Sequence, residues 1–125
     1  MRAVAVLTIL LAACASVAPP VEDAVVADRL FCGLEIPGGG EIAQRELDTF
    51  IEEIVTPRFP QGFTVWRAKG QWRGGDEDTI VFEFVHPYDA AIDAKVKEIA
   101  EEYRRRFRQE AVLRVSTPAR LEWVH

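Results

Sequence analysis

Reactive side chains are scarce in this chain. Of 125 residues, two are cysteine, two are histidine and two, Ser16 and Ser116, are serine. Neither serine sits in the G-x-S-x-G setting that presents a hydrolase nucleophile at a strand-to-helix turn. His86 and His125 lack a second ligand at metal-like spacing, so no metal is expected, and His86, just before Pro87, reads as a strand-end or capping residue. Gly38, Gly39 and Gly40 stand where a phosphate loop would, but the glycine spacing and the following Gly-Lys of such loops are missing. Glu41 would repel a phosphate as well, so the triplet reads as a turn. No catalytic residue and no cofactor is assigned.

Long apolar runs are missing too, except at the start. Residues 3–13 form an uncharged, mostly apolar run after the lone Arg2. That is shorter than the roughly 20 residues a permanent membrane helix needs, and it reads as a secretory signal. Its end, Leu11-Ala12-Ala13-Cys14, resembles the lipobox of bacterial lipoproteins. The resemblance implies cleavage before Cys14 and acylation of that residue, and Ala15 in place of an aspartate resembles proteins sorted to the outer membrane. Ordinary secretion, with Ala13-Cys14-Ala15 as the cleavage site, is the alternative. Each buried methylene of a lipid contributes about 0.8 kcal/mol, so several acyl chains would anchor the protein stably. The expected organisation is a signal peptide over residues 1–13, a flexible tether over 14–27 and one domain over 28–125, lipid-anchored in the bacterial cell envelope and facing the periplasm.

Under either processing route Cys32 has no intramolecular partner, and its apolar run "RLFCGLEI" marks it as a small buried hydrophobe. The net charge is −5, and loss of Arg2 with the signal makes it −6. An acidic domain is a poor binder of nucleic acid or anionic lipid, so neither is an expected partner.

The rest reads as alternating strands and helices. "RLFCGLEI" is a strand; "EIAQRELDTFIEEIV" places Leu47, Phe50, Ile51, Ile54 and Val55 at helical spacing, and Pro57 ends that helix. "FTVWRAKGQWR" alternates with period two, Gly74 to Glu77 supply a turn, and "DTIVFEFVH" completes a hairpin over residues 63–86 with a loop longer than the tightest type. Pro87 suits the first turn of a second helix with an apolar stripe of Ile92, Val96, Ile99, Tyr103 and Phe107. "AVLRV", with "RLEWV" beyond Pro118, closes the chain as strand. The order fits an α+β, ferredoxin-like β-α-β-β-α-β sandwich, an antiparallel sheet with two helices on one face.

Arg104, Arg105, Arg106 and Arg108 read as a solvated helix end, with Glu101 to Arg105 and Glu102 to Arg106 as i,i+4 pairs. The polar and aromatic residues that could serve a ligand are Arg58, Gln71, Trp72, Arg73, Gln109, Glu110 and Arg114, with Trp66 beside them. The tryptophans are expected in the core. Arg58, between Pro57 and Pro60, suits a structural hydrogen bond to a loop carbonyl as well as a binding role.

The blocks "LFCGL", "TPRFPQGFTV", "GQWR", "HPYDAA" and "RFRQEAVLRV", in this order over residues 30–115, resemble the bacterial family catalogued as domain of unknown function 3574. That resemblance implies no activity. Cys32 stands where an aromatic is usual and Ala111 where a serine is usual, which argues against either as a catalytic centre. "GFTVWRAKGQW" is loosely similar to a strand and loop of trimeric nitrogen-regulatory signalling proteins, an analogy of fold alone.

The function expected is a membrane-tethered module that holds a small ligand on its free sheet face or associates with itself. A cofactor-free enzyme is the alternative and requires Arg58, Gln71, Gln109 and Glu110 to converge. A purely structural envelope protein would need no pocket.

Overall fold

In the computed structural model residues 25–125 are described, so the expected signal peptide, Cys14 and most of the tether lie outside the described residues. The elements are β1 (Val25–Gly33), α1 (Gln44–Phe50), a π-helical turn (Ile51–Val55), β2 (Thr64–Trp72), β3 (Gly75–Pro87), α2 (Ala90–Arg106) and β4 (Leu113–Ala119). β1 therefore takes in Val25 to Ala27, which the sequence suggested as tether.

Period-two alternation divides each central strand between two faces. On β1, Asp28, Leu30 and Cys32 are fully buried toward the helices, and on β3 Ile80, Phe82, Phe84 and His86 join them. Asp89 caps α2 by accepting the N–H groups of Ala91 and Ile92 at 2.8 and 3.0 Å, an arrangement that contributes about 1 kcal/mol. Pro87 ends β3 rather than opening this helix. The buried stripe of α2, Val96, Ile99 and Tyr103, meets Phe50, whose ring stands edge-on to Tyr103 at 5.3 Å.

The first helix is not α-helical throughout. Its end is a π turn in which Thr56 N–H donates to the Ile51 carbonyl at 2.9 Å. Phe50 and Val55 are both fully buried. Five residues apart in an α-helix they would diverge by more than a third of a turn, and the wider winding brings them onto one face.

All neighbouring strands are antiparallel in the order β2-β3-β1-β4. With both helices against one side, this is the expected ferredoxin-like sandwich. The hairpin is tighter than the sequence suggested. Trp72 pairs with Gly75, leaving a two-residue turn of Arg73 (φ 49°) and Gly74 (φ 81°), the doubly left-handed geometry that matches strand twist. Glu77, read as turn, is therefore inside β3. β4 carries Pro118, tolerated because β4 is an edge strand, and residues 120–125 form no strand.

Two expectations about side chains change. Trp66 and Trp72 face the open side of the sheet, 36% and 51% exposed, because the inward positions of β2 belong to Val65, Arg67, Lys69 and Gln71. The arginine cluster does not form i,i+4 pairs. Arg105 pairs with Glu102, one turn back at i,i+3, and Arg106 reaches Glu53 at 3.1 Å with its guanidinium 5.6 Å from the Phe50 ring. No helix of the described residues is long and apolar enough to cross a membrane.

Candidate functional site

On the open face the side chains stand in cross-strand rows. Trp66, Val81, Phe31 and Leu113 line up across all four strands, and the next row toward one end of the sheet is Ala68, Thr79 and Gly33. Beyond it Gly70 faces Glu77. The carpet of side chains thins where the two glycines fall, and the sheet surface drops into a cleft of about 850 Å³. Its walls are residues 35–41, the connection from α2 to β4, and the end of the hairpin.

Gly33 is the pivot of the cleft floor. A β-carbon there would lie 2.0 Å from Glu77 Oε1 and 2.9 Å from Gln109 Oε1, so the missing side chain is what lets both oxygens converge over one backbone atom. Burial, and then the neighbouring charge of Glu35, raise the Glu77 carboxyl above its usual range. From below, Tyr103 donates its hydroxyl hydrogen to the Gly33 carbonyl at 2.7 Å. Burial pushes that phenol far up, so it serves as a fixed donor.

The end of α2 sets Gln109. Phe107 N–H donates to the Tyr103 carbonyl, Arg108 adopts φ 52°, and Gln109 N–H reaches back to the Arg104 carbonyl at 2.9 Å. This is a Schellman helix end with arginine at the left-handed position where glycine is commonest. Gln109 is only 8% exposed, and its Nε2 donates to the carbonyls of Glu35 (2.8 Å) and Phe107 (3.1 Å). With its NH2 group so committed, the amide oxygen has to turn toward the cleft.

Of the residues singled out from sequence, Gln71, Trp72, Gln109 and Glu110 line this cleft. Gln71 also donates to Asp76 at 3.3 Å. Arg73 stands at the rim, 2.6 Å from the Glu110 carboxylate and 5.8 Å from the Trp72 ring, strapping the hairpin turn to the α2–β4 connection.

Arg58 and Arg114 are elsewhere. Arg58 donates to Glu98 at 3.0 Å and to the Ile54 carbonyl at 2.9 Å, closing the π turn and tying it to α2. Arg114 donates twice to Asp28, at 2.9 and 3.0 Å, and once to Asp93 at 2.6 Å, on the helix side of the sheet. The four residues of the enzymatic alternative thus do not converge, since Arg58 belongs to the helix layer.

Asp28 is the hub of that second cluster. It also accepts from Ser116 and from His86 Nε2, the latter at 2.6 Å, while His86 Nδ1 lies 2.7 Å from the Pro87 carbonyl. Burial by itself would raise the Asp28 carboxyl. The hydrogen bonds from Arg114, Ser116 and His86, with the Arg114 charge, outweigh it and hold the carboxyl below its usual value. His86 is thus a buried partner of Asp28, not a strand-end cap.

Cys32 is fully buried and burial pushes its thiol far up, as befits the small hydrophobe expected. Among the described residues no group of three or more His, Cys, Asp or Glu could hold a metal ion. The residues that sequence reasoning missed are Gly33, Gly70 and Glu77. A glycine inside a strand pattern signals a bulge or a close approach, and "FCGL" and "AKGQ" both carry that signal.

Residues 27–123 match the family described as Protein of unknown function (DUF3574). The chain belongs to that family. No curated protein sequence matches it. Among solved structures, a phage SAM lyase in its apo state aligns with a TM-score of 0.55 and 16% identity, covering 82% of this chain and 94% of the lyase. The lyase in complex with S-methyl-5′-thioadenosine aligns at 0.50 and 18%, with the same coverage. A de novo designed protein, Foldit4, gives 0.47 and 21%, covering 78% of this chain and 98% of the design. At these identities the likeness to the lyase is one of fold.

Proposed function

We propose that this DUF3574 chain is a lipid-tethered envelope protein whose ferredoxin-like domain binds a small ligand in the cleft over Gly33. The observation that carries the binding reading is the convergence of Glu77 and Gln109 oxygens on one glycine inside an 850 Å³ cleft. A cleft of that size suits a small molecule. The tether rests on Leu11 to Cys14, which implies acylation at Cys14 and an outer-membrane, periplasm-facing address.

The full chain, expressed in bacteria fed labelled palmitate, is expected to take up label and to fractionate with the outer membrane, while Cys14→Ser takes up none. Unlabelled wild-type protein in the cytosol overturns the tether. A ligand screen by thermal unfolding tests the cleft. Stabilisation of the wild type that disappears in Gly33→Ala supports the reading, and stabilisation that survives the substitution overturns it.

Self-association is a second reading, favoured by the open sheet face. Trp66, Val85, Leu113 and Val115 are each more than a third exposed there, and the charges between them, Arg29 and Glu83, neutralise each other at 2.5 Å. Identical acidic chains repel each other, and a neutral apolar face is the surface through which a second copy could approach. Sedimentation of the full chain in detergent should show a dimer or larger species that Trp66→Glu dissociates. A wild-type monomer at all concentrations removes this reading.

A further inference from the structure

The residues lining the cleft include four glutamates, Glu35, Glu41, Glu77 and Glu110, and no lysine, arginine or histidine. Two of the four are matched from outside the lining. Glu41 pairs with Arg67 at 3.4 Å and Glu110 with Arg73 at 2.6 Å. Glu35 and Glu77 have no ion-pair partner among the described residues.

Gln109 is an independent pointer to the same chemistry. More than nine-tenths buried, it spends both amide hydrogens on the Glu35 and Phe107 carbonyls and presents to the cleft an oxygen that no donor among the described residues reaches. The floor therefore offers acceptors from two different side chains and no positive charge. An anion entering there would meet uncompensated repulsion, and a neutral ligand would leave two neighbouring carboxylates facing each other. The flank differs: Phe31, Trp72 and Leu113 supply apolar and aromatic surface beside these acceptors.

We propose that the cleft recognises an organic cation, whose ammonium or guanidinium group lies over Gly33 between Glu77, Glu35 and the Gln109 oxygen and whose apolar body rests against Trp72 and Phe31. This rests on the ligand-binding reading above and names its ligand class. A positive head group donates hydrogen bonds to all three acceptors and supplies the charge that the two unmatched carboxylates lack. The raised Glu77 carboxyl is consistent with the same ligand class, since burial and Glu35 make it costly to ionise and a neighbouring cation would offset both. The aromatic flank adds a surface on which cationic groups and their hydrocarbon stems settle. A bare divalent ion fits less well, because it needs six or more oxygen ligands at fixed distances.

The test uses probes that share a body and differ in head group: phenethylamine, phenethyl alcohol and phenylacetate, with agmatine as a guanidinium. Each is titrated calorimetrically into the full chain. Phenethylamine or agmatine is expected to bind, and its affinity to fall roughly ten-fold or more in Glu77→Gln and in Gly33→Ala, with far-ultraviolet circular dichroism confirming that both variants are folded. Binding of the alcohol or the carboxylate as tightly as the amine overturns the ligand class while leaving the cleft as a ligand site. Amine binding indifferent to both substitutions overturns the assigned position. If none of the four binds at millimolar concentration, the organic-cation proposal falls, and the ligand-binding reading then stands or falls on the thermal-unfolding screen alone.

Discussion

The two ends of β1 treat a neighbouring carboxylate in opposite ways, one fully buried and one half-buried. Near its start, Asp28 accepts hydrogen bonds from Arg114, Ser116 and His86, and its carboxyl is held low. At its end, Glu77 lies over Gly33 with another acid nearby, and its carboxyl is pushed up. The first cluster is complete within the chain. In the second, no donor among the described residues reaches the Glu77 carboxylate or the Gln109 amide oxygen, so it does not tie the fold together as the first does.

The sharpest way to break this contrast is Asp28→Ala. It takes the side-chain partner from His86 and leaves the Arg114 guanidinium with Asp93 alone beside a void, and the expected loss is roughly 3 kcal/mol in urea unfolding. Because the folded Asp28 carboxyl lies below its usual 3.8, its contribution is complete above that value and disappears as the pH falls through the lowered one. The wild type should lose stability on acidification through that range, and the substituted chain should lose less.

Glu77→Gln should act the other way and more weakly. The folded Glu77 carboxyl lies above its usual 4.5, so its contribution is most favourable below that value and declines as the pH rises through the raised one. Removing the charge should leave neutral-pH stability equal or slightly higher, by less than about 1 kcal/mol, and flatten the decline between acid and neutral pH. A marked loss of stability would place Glu77 among structural groups and erase the contrast.

The smallest effect is expected of Arg73→Ala. The Arg73–Glu110 pair is exposed on both sides, and such pairs contribute less than about 1 kcal/mol. The melting temperature should barely move, whereas amine binding should tighten slightly as Glu110 loses its competing cation.

The fold was legible because its signals are local. The alternation of "LFCGL" and "TIVFEFV" and the stripe of Val96, Ile99 and Tyr103 each specify an element with a buried side, and six elements in that order leave few ways to pair. The orientation of the tryptophans was not legible. Period two says that Trp66 and Val65 point apart, but which of them meets the helices depends on how β2 pairs with β3. The cleft was half legible. Gln71, Trp72, Gln109 and Glu110 stood out as polar and aromatic residues outside the apolar pattern, but Glu77 looked like part of a turn until the two-residue Arg73-Gly74 loop moved it into β3. Arg58 and Arg114 attracted notice for the same reason as the others, and only the packing shows their partners to be Glu98, Asp28 and Asp93.

Phe31 and Leu113 belong both to the cleft lining and to the apolar row that crosses the sheet. A second copy settling on that row would roof the space in which a ligand sits, so occupancy and assembly would share a free energy. By reciprocity, whatever factor one adds to the other's equilibrium constant is returned in full. Raising the concentration of the chain would then tune its appetite for ligand without altering a single contact in the cleft floor.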